Sequence, residues 1–421
     1  MIARLLYSLL LYLGTPLLWL RLWRRSRRQP EYLQHLGERW GRYWQSCDTP
    51  VIWIHAVSVG ETRAAEPLLR ALRAQYPRHT LLLTGMTPTG REAGRQVYGD
   101  AVLQVYLPYD YPGAVGRFLR HFQPQVGILM ETEIWPNLLA ACQQRQLPVF
   151  LANARLSERS ARGYARFGWL ARPAFASLTG AAAQTTEDAR RLAQLGVGTV
   201  KVCGNLKFDV MLPEEKLALG REWRAAIGHR PVFLAASTRE GEEALVLDAW
   251  RRAALDDGLL VLVPRHPQRF DEVAALLAAE GWRFTRRSEA LPTPDCQVWL
   301  GDSMGEMAAY YTLARLAFVG GSLLPLGGQN LIEASACGCP VLVGPHTFNF
   351  AQATQDAIGC GAAGLVENVA QLAGAIHALF GERHEQRLHM AAAALDFAAA
   401  HGGATVRTLE FISQRWDPAG R

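Results

Sequence analysis

The sequence predicts an α/β protein built from two doubly wound, Rossmann-like halves behind an apolar N-terminal helix. Three observations lead there. From Val51 onward, short apolar runs alternate with amphipathic helical stretches, the pattern of a parallel sheet covered on both faces. The alternation breaks once, at 207–215, where KFDVMLPEE has no clear period, and then restarts. Ahead of it, residues 5–20 are uncharged and rich in leucine, and Arg21, Arg24, Arg25, Arg27 and Arg28 follow directly. A chain of 421 residues, 49% of them hydrophobic, has room for two domains of about 150–200 residues. The expected division is 1–28 as anchor and basic collar, 29–209 as the first domain and 210–421 as the second, with the last helix able to pack back on the first.

The N-terminal run comes first. Sixteen helical residues reach about 24 Å, short of a hydrocarbon core of roughly 30 Å. Trp23 and snorkelling of Arg4 and Arg21 extend it, so a short span and an interfacial helix both fit. A cleaved signal peptide fits less well, because the arginines follow the apolar run and no small-residue cleavage site comes after. The charge points the same way. The net charge is +6, and the excess of arginine over glutamate up to Tyr43 accounts for all of it. A nucleic-acid binder would spread its basic residues over a face of the folded domain, so no nucleic-acid partner is expected. A basic collar beside a membrane segment stays on the cytoplasmic side and holds the rest of the chain there.

Strands are expected at 51–55, 80–84, 102–106, 126–130, 148–152 and 181–183, then at 232–235, 259–263, 298–300, 316–319 and 341–343, with a helix at 61–74. Two doubly wound halves put a ligand in the cleft between them, at the carboxyl ends of the strands. Seven scattered cysteines without a CxxC pair read as reduced thiols, with no metal site.

The candidate residues lie at those strand ends. In IHAVSVGETRAAEPLL, Ser58 and Glu61 fit a capping box at a helix start. Glu61 also fits a general base, kept ionised by the helix N-terminus. In GILMETEIWPN, alternation along an extended chain would put Glu131 and Glu133 on one side. Lys207, in CGNLKFD, is either a solvated linker lysine or a cation that neutralises a leaving phosphate. In the second half, STREGEE follows a strand with Ser237, Thr238 and Arg239 at the turn, and Arg265 and His266 end another. Gly305 makes a turn beside Glu306. The glycine pairs at 320–321 and 327–328 bring backbone close to a ligand, a helix opening near Asn330 offers N–H groups to a phosphate, and Glu333 suits ribose hydroxyls. Neither a Walker loop nor a GxGxxG fingerprint is present. Arg162 and Arg166, among Phe167 and Trp169, suit lipid head groups and acceptor phosphates, or form the solvated face of an ordinary helix.

Taken together, HAVSVGE, ETEIWPN, NARLSERS, GNLKFD, STREGEE, RHPQR, MGEM and GGQNLIEA, in this order, resemble the 3-deoxy-D-manno-octulosonic acid (Kdo) transferases of Gram-negative bacteria. The resemblance runs from the N-terminal helix to about Gly381. It implies a two-domain glycosyltransferase B fold and an inverting transfer of Kdo from CMP-Kdo to a lipid A precursor, without metal or cofactor, at the cytoplasmic face of the inner membrane. By that analogy Glu61 is the base, and Glu131 and Lys207 stabilise the transition state. Arg265, His266, Met304, Gly305, Glu306, Asn330, Leu331, Ile332 and Glu333 form the CMP site, and the first domain binds the acceptor. A UDP-sugar-dependent lipid glycosyltransferase of the same fold is the main alternative. A soluble epimerase would not need the anchor. A non-catalytic nucleotide-binding membrane protein would need neither Glu61 nor Glu131.

Overall fold

The computed structural model describes residues 2–27, 29–209, 212–255 and 257–417. The chain forms two compact units, one of residues 1–209 with 402–421 and one of residues 210–401. The last helix, Ala404–Ser413, therefore belongs to the first unit, and the second ends at His401.

The first unit holds a parallel sheet of β1 (Val51–His55), β2 (Thr80–Gly85), β3 (Leu103–Tyr106), β4 (Pro124–Met130), β5 (Val149–Ala154), β6 (Gly180–Ala183) and β7 (Val200–Val202). Its order is β3-β2-β1-β4-β5-β6-β7. β1 therefore lies between β2 and β4, and the direction of winding reverses between β1 and β4, which makes their carboxyl ends the expected binding crevice. β1 and β5 are buried along their whole length and β4 from Val126 to Met130, as strands covered by helices on both sides must be. Trp53, Phe118 and Phe175 pack on one face, and Ile52, Phe150 and Phe411 on the other.

The second unit repeats the plan with β8 (Val232–Thr238), β9 (Leu259–Pro264), β10 (Phe284–Arg286), β11 (Val298–Leu300), β12 (Leu316–Val319), β13 (Val341–Val343) and β14 (Ala363–Leu365). The order is β10-β11-β9-β8-β12-β13-β14, all parallel. Here the winding reverses between β8 and β12. The edge strands β7, β10 and β14 are additions to the expected set, each only three residues long.

Two helical expectations are corrected. The helix expected at 61–74 is two helices, Val59–Ala64 and Glu66–Gln75. Pro67 has no N–H to donate to the turn before it, so the first helix stops at Ala65. The apolar N-terminal run is also two helices, Ile2–Leu13 and Thr15–Ser26, bent by 50° around Gly14. Among the described residues no single helix is long and apolar enough to cross a membrane, although the bent pair meets that test together. One side of the pair is fastened to the first unit. Ser8 Oγ lies 3.0 Å from the Asn137 side-chain nitrogen, which donates to it. Thr15 and Tyr111 hydroxyls are 2.8 Å apart, and Trp19 stacks on Trp40 at 6.0 Å between ring centres. The other side leaves Leu5, Leu6, Leu9, Leu10, Leu13 and Leu17 exposed.

Candidate active site

In the first unit, β1 ends at His55 and the chain turns through Val57 and Ser58 into the Val59–Ala64 helix. Ser58 is its N-cap, accepting from the Glu61 N–H at 3.2 Å. The Glu61 carboxylate closes the turn from the other side. Its Oε2 accepts from the Val57 N–H at 2.8 Å and its Oε1 from the Ser58 hydroxyl at 2.8 Å. This differs slightly from the expected capping box, because the carboxylate reaches the N–H one residue before the cap. Each oxygen keeps a lone pair for a further donor. Burial pushes the Glu61 carboxyl above its usual range, the bonds from Val57 and Ser58 pull it back, Glu131 raises it and Lys207 lowers it. Glu61 is thus a helix-end group and a tuned acid at once.

Glu131 directly follows β4. It sits at φ +56°, a left-handed conformation that a residue with a side chain seldom adopts, and its N–H donates to Ala152 O at 2.9 Å. The chain therefore turns at Glu131, and the alternation argument for Glu131 and Glu133 does not hold. The turn gathers the acids in another way. The Glu133 carboxyl is pushed up to about 7, first by burial and then by the Glu61 charge, against the 3.1 Å bond it accepts from Trp135 Nε1. Lys207 sits in a short 3-10 turn, Leu206–Phe208, with its N–H on Asn205 Oδ1 at 3.0 Å. The turn is pinned by Asn153, whose Oδ1 accepts from the Leu206 N–H at 3.0 Å. Asn153 itself is buried at φ +53°. Nothing in the motif NARLSERS beyond a polar residue near a strand end marks Asn153 for this part. His55, also passed over, is fully buried, and burial lowers it to about 4, so the ring is neutral. Its Nδ1 lies 2.9 Å from Thr84 Oγ1, and its Nε2 has no hydrogen-bond partner among the described residues.

In the second unit, β8 ends in a bulge at Ser237, φ +56°. Arg265 follows β9, its N–H on Thr238 O at 2.9 Å and its Nε on Gln329 Oε1 at 3.3 Å. His266 is largely exposed, and its proton affinity is lowered by partial desolvation and then by Arg239, Arg265 and Arg269. Met304 is exposed, Gly305 turns at φ +75°, and Glu306 is held by Ser303 at 2.6 Å and Arg287 at 3.2 Å. Leu331 and Ile332 have buried side chains, so only their backbone is available to a ligand. Glu333 is raised by burial alone, and no hydrogen bond to its carboxyl is present among the described residues.

The glycine-rich segment works differently from the expectation. A side chain at Gly320 would meet Ser237 O at 2.5 Å, so this glycine lets one strand end pass over another. The following N–H groups of Gly321, Ser322 and Leu323 all donate to the buried Glu242 carboxylate. That stretch is an anion nest already filled by the protein. The helix after Asn330 is only Ile332–Ala336, and Asn330 Oδ1 takes the Ile332 N–H at 2.9 Å. Its dipole is accordingly small. Arg162 and Arg166 lie exposed on the Glu158–Arg166 helix, with Phe167 and Trp169 exposed beyond them.

The geometry thus gathers Glu61, Glu131, Glu133 and Lys207 in the first unit, and Arg239, Arg265, His266 and Gln329 in the second. Residues 34–210 match the family described as 3-deoxy-D-manno-octulosonic-acid transferase (kdotransferase). The 3-deoxy-D-manno-octulosonic acid transferase of Bordetella pertussis is 46% identical over 423 residues, covering 96% of this chain and 98% of its own. The chain belongs to the Kdo transferases. The Kdo transferase of Haemophilus influenzae is 42% identical over 358 residues, covering 82% of this chain and 83% of its own. Solved structures carry the same glycosyltransferase B fold. A glycosyltransferase from Rickettsia africae aligns with TM-score 0.56 at 13% identity, covering 88% of this chain and 99% of its own. A UDP-GlcNAc 2-epimerase from Neisseria meningitidis aligns with TM-score 0.59 at 17% identity, covering 87% of this chain and all of its own. An epimerase and a transferase share this architecture, so the fold alone does not choose the chemistry. For the Kdo transferase family, the choice rests on sequence.

Proposed function

We propose that this Kdo transferase takes Kdo from CMP-Kdo and transfers it, with inversion, to a hydroxyl of a lipid A precursor. The observation that carries this reading is Glu61, a buried carboxylate with its proton affinity raised, electrostatically coupled to Glu131 and Lys207. Glu61 takes the proton of the acceptor hydroxyl as its oxygen bonds to the anomeric carbon of the sugar. The bond from that carbon to the phosphate oxygen breaks, and CMP leaves with the electron pair. Lys207 and Glu131 stabilise the charges that develop on the way. In the second unit Arg265 and His266 serve the phosphate. Glu333, whose carboxyl has no hydrogen-bond donor among the described residues, serves the ribose hydroxyls, and the backbone of residues 330–332 with Met304–Glu306 completes the nucleotide site. No metal or further cofactor enters this mechanism.

The bent N-terminal pair lies in the lipid surface at the cytoplasmic face of the inner membrane, with its leucine side in the acyl region and its arginines at the head groups. Arg162 and Arg166 add to that surface and meet the acceptor's phosphates. The test is turnover on lipid A precursor with CMP-Kdo and with UDP-sugars, the product being weighed by mass spectrometry. Addition of Kdo from CMP-Kdo alone is expected. Transfer from a UDP-sugar instead would replace this reading with that of a UDP-sugar lipid transferase.

A further inference from the structure

Arg239 sits at the end of β8 in the turn STREGEE, and none of the roles above uses it. Three acids surround it in sequence, and two of them are committed elsewhere. Glu242 takes the N–H groups of Gly321, Ser322 and Leu323, and also the N–H of Arg239 itself at 3.1 Å. Glu243 accepts from Arg269 at 2.7 Å and from the Thr238 hydroxyl at 2.8 Å. Glu240 is exposed and makes no ion pair with Arg239. Arg269 has a second carboxylate in Glu272 at 3.1 Å. Among the described residues, Arg239 has no ion pair, although it is half-buried.

Its position is defined by Glu242, which clamps the Arg239 backbone to the 321–323 segment. A methyl group at Gly321 would sit 3.6 Å from Arg239 Cγ and 3.3 Å from Gln329 Nε2. Gln329 in turn accepts from Arg265 at 3.3 Å. Arg239, Gln329 and Arg265 therefore flank one small patch of backbone above Gly321, with His266 close by. A partly buried guanidinium without a carboxylate is costly to keep unless an anion completes it.

We propose that Arg239 binds the carboxylate of the donor's acidic sugar, while Arg265 and His266 hold the nucleotide phosphate. This rests on the CMP-Kdo reading above, in which the donor carries two anions on either side of one anomeric carbon. A donor with a neutral sugar has no second anion there and no need of a second cation. The planar guanidinium suits a carboxylate because both oxygens are met at once, which an ammonium cannot do.

The test compares two constants in one assay, the KM for CMP-Kdo and the inhibition constant of CMP, for the full-length protein and for Arg239→Gln and Arg239→Lys. Loss of a charged hydrogen bond should raise the CMP-Kdo KM about tenfold or more in Arg239→Gln. The CMP inhibition constant should move less than about threefold, and Arg239→Lys should recover part of the donor KM. Thermal melting of each variant shows whether it is folded, and Lys, which keeps the charge and length, carries the comparison if Gln does not fold. A parallel rise in both constants would assign Arg239 to the phosphate and overturn the proposal, as would no change in either. A full-length protein that CMP does not inhibit and that does not turn over CMP-Kdo would instead defeat the donor reading beneath it.

Discussion

The two reversal points of the two sheets are alike in backbone and opposite in chemistry. At each, a central strand ends in a residue with a side chain held at positive φ, Glu131 after β4 and Ser237 at the end of β8. At the first, carboxylates converge, Glu61, Glu131 and Glu133, with one lysine. At the second, the carboxylates of Glu242 and Glu243 are turned inward onto backbone N–H groups, Thr238 and Arg269, and the basic side chains beside them are Arg239, Arg265 and His266. A shared frame thus carries a cluster of acids in one unit and a cluster of basic side chains in the other. The difference is made by which way a few acids face. Strain at the strand end is common to both, so strain marks the place and the side chains decide the task.

The largest way to break that contrast is at the acid cluster. Glu61→Gln keeps the size of the side chain and one oxygen to accept a helix-end bond but cannot take a proton, so kcat should fall by at least about 10² while CMP binding holds, as single-turnover and inhibition measurements will show. Near-normal turnover with a lowered melting temperature would leave Glu61 as a cap only, and Glu133, already pushed up to about 7, would become the base. A step smaller is the nucleotide side. Glu333→Gln should raise the CMP inhibition constant roughly tenfold and leave saturated turnover near its original value. Equal CMP inhibition of both proteins would remove Glu333 from the ribose.

Electrostatic tuning sharpens the comparison further. As the proposed base, Glu61 must be ionised, so the rate should fall as pH drops through its pKa. Lys207 lowers that pKa and Glu131 raises it. Lys207→Met should therefore move the acidic limb of the kcat profile to higher pH and Glu131→Gln to lower pH. Shifts in the same direction in both would show that the limb belongs to another group. The smallest effect is expected at the surface. Replacing Arg162 and Arg166 by Ser should raise the KM for lipid acceptor severalfold, within the modest range of exposed charges, and leave that for CMP-Kdo alone. An unchanged acceptor KM would make the Glu158–Arg166 helix an ordinary solvated one.

Much of this was legible because its signals are local. Strands buried on both faces read as apolar runs, and the expected 298–300, 316–319 and 341–343 coincide with β11, β12 and β13. β7, β10 and β14 escaped because three edge residues, such as Phe284–Arg286, carry no period. Strand ends pointed to Glu61, Glu131 and Arg265. The facing of Glu242 was not legible, because its partners lie some eighty residues on and are backbone groups. The bend at Gly14 was hidden for a similar reason. Its neighbours read as one apolar run, whereas Ser8, Thr15 and Tyr111 fix each helix separately to the first unit.

Asn137 closes the motif that begins with Glu131. Its amide binds Ser8 on the N-terminal helix, and its N–H binds Asp110 at 2.9 Å. The same short segment therefore grips the proposed lipid-seated helix at one end and presents the acid cluster at the other. With the pair seated in a bilayer as proposed, the distance from the membrane plane to the acids would be a fixed length of protein, with no linker to absorb error. A molecule seated in that way would measure its acceptor from the bilayer outward. A hydroxyl standing too shallow or too tall on its lipid would then miss the proposed base, whatever its chemistry, and elevation above the leaflet would be a criterion of selection in its own right.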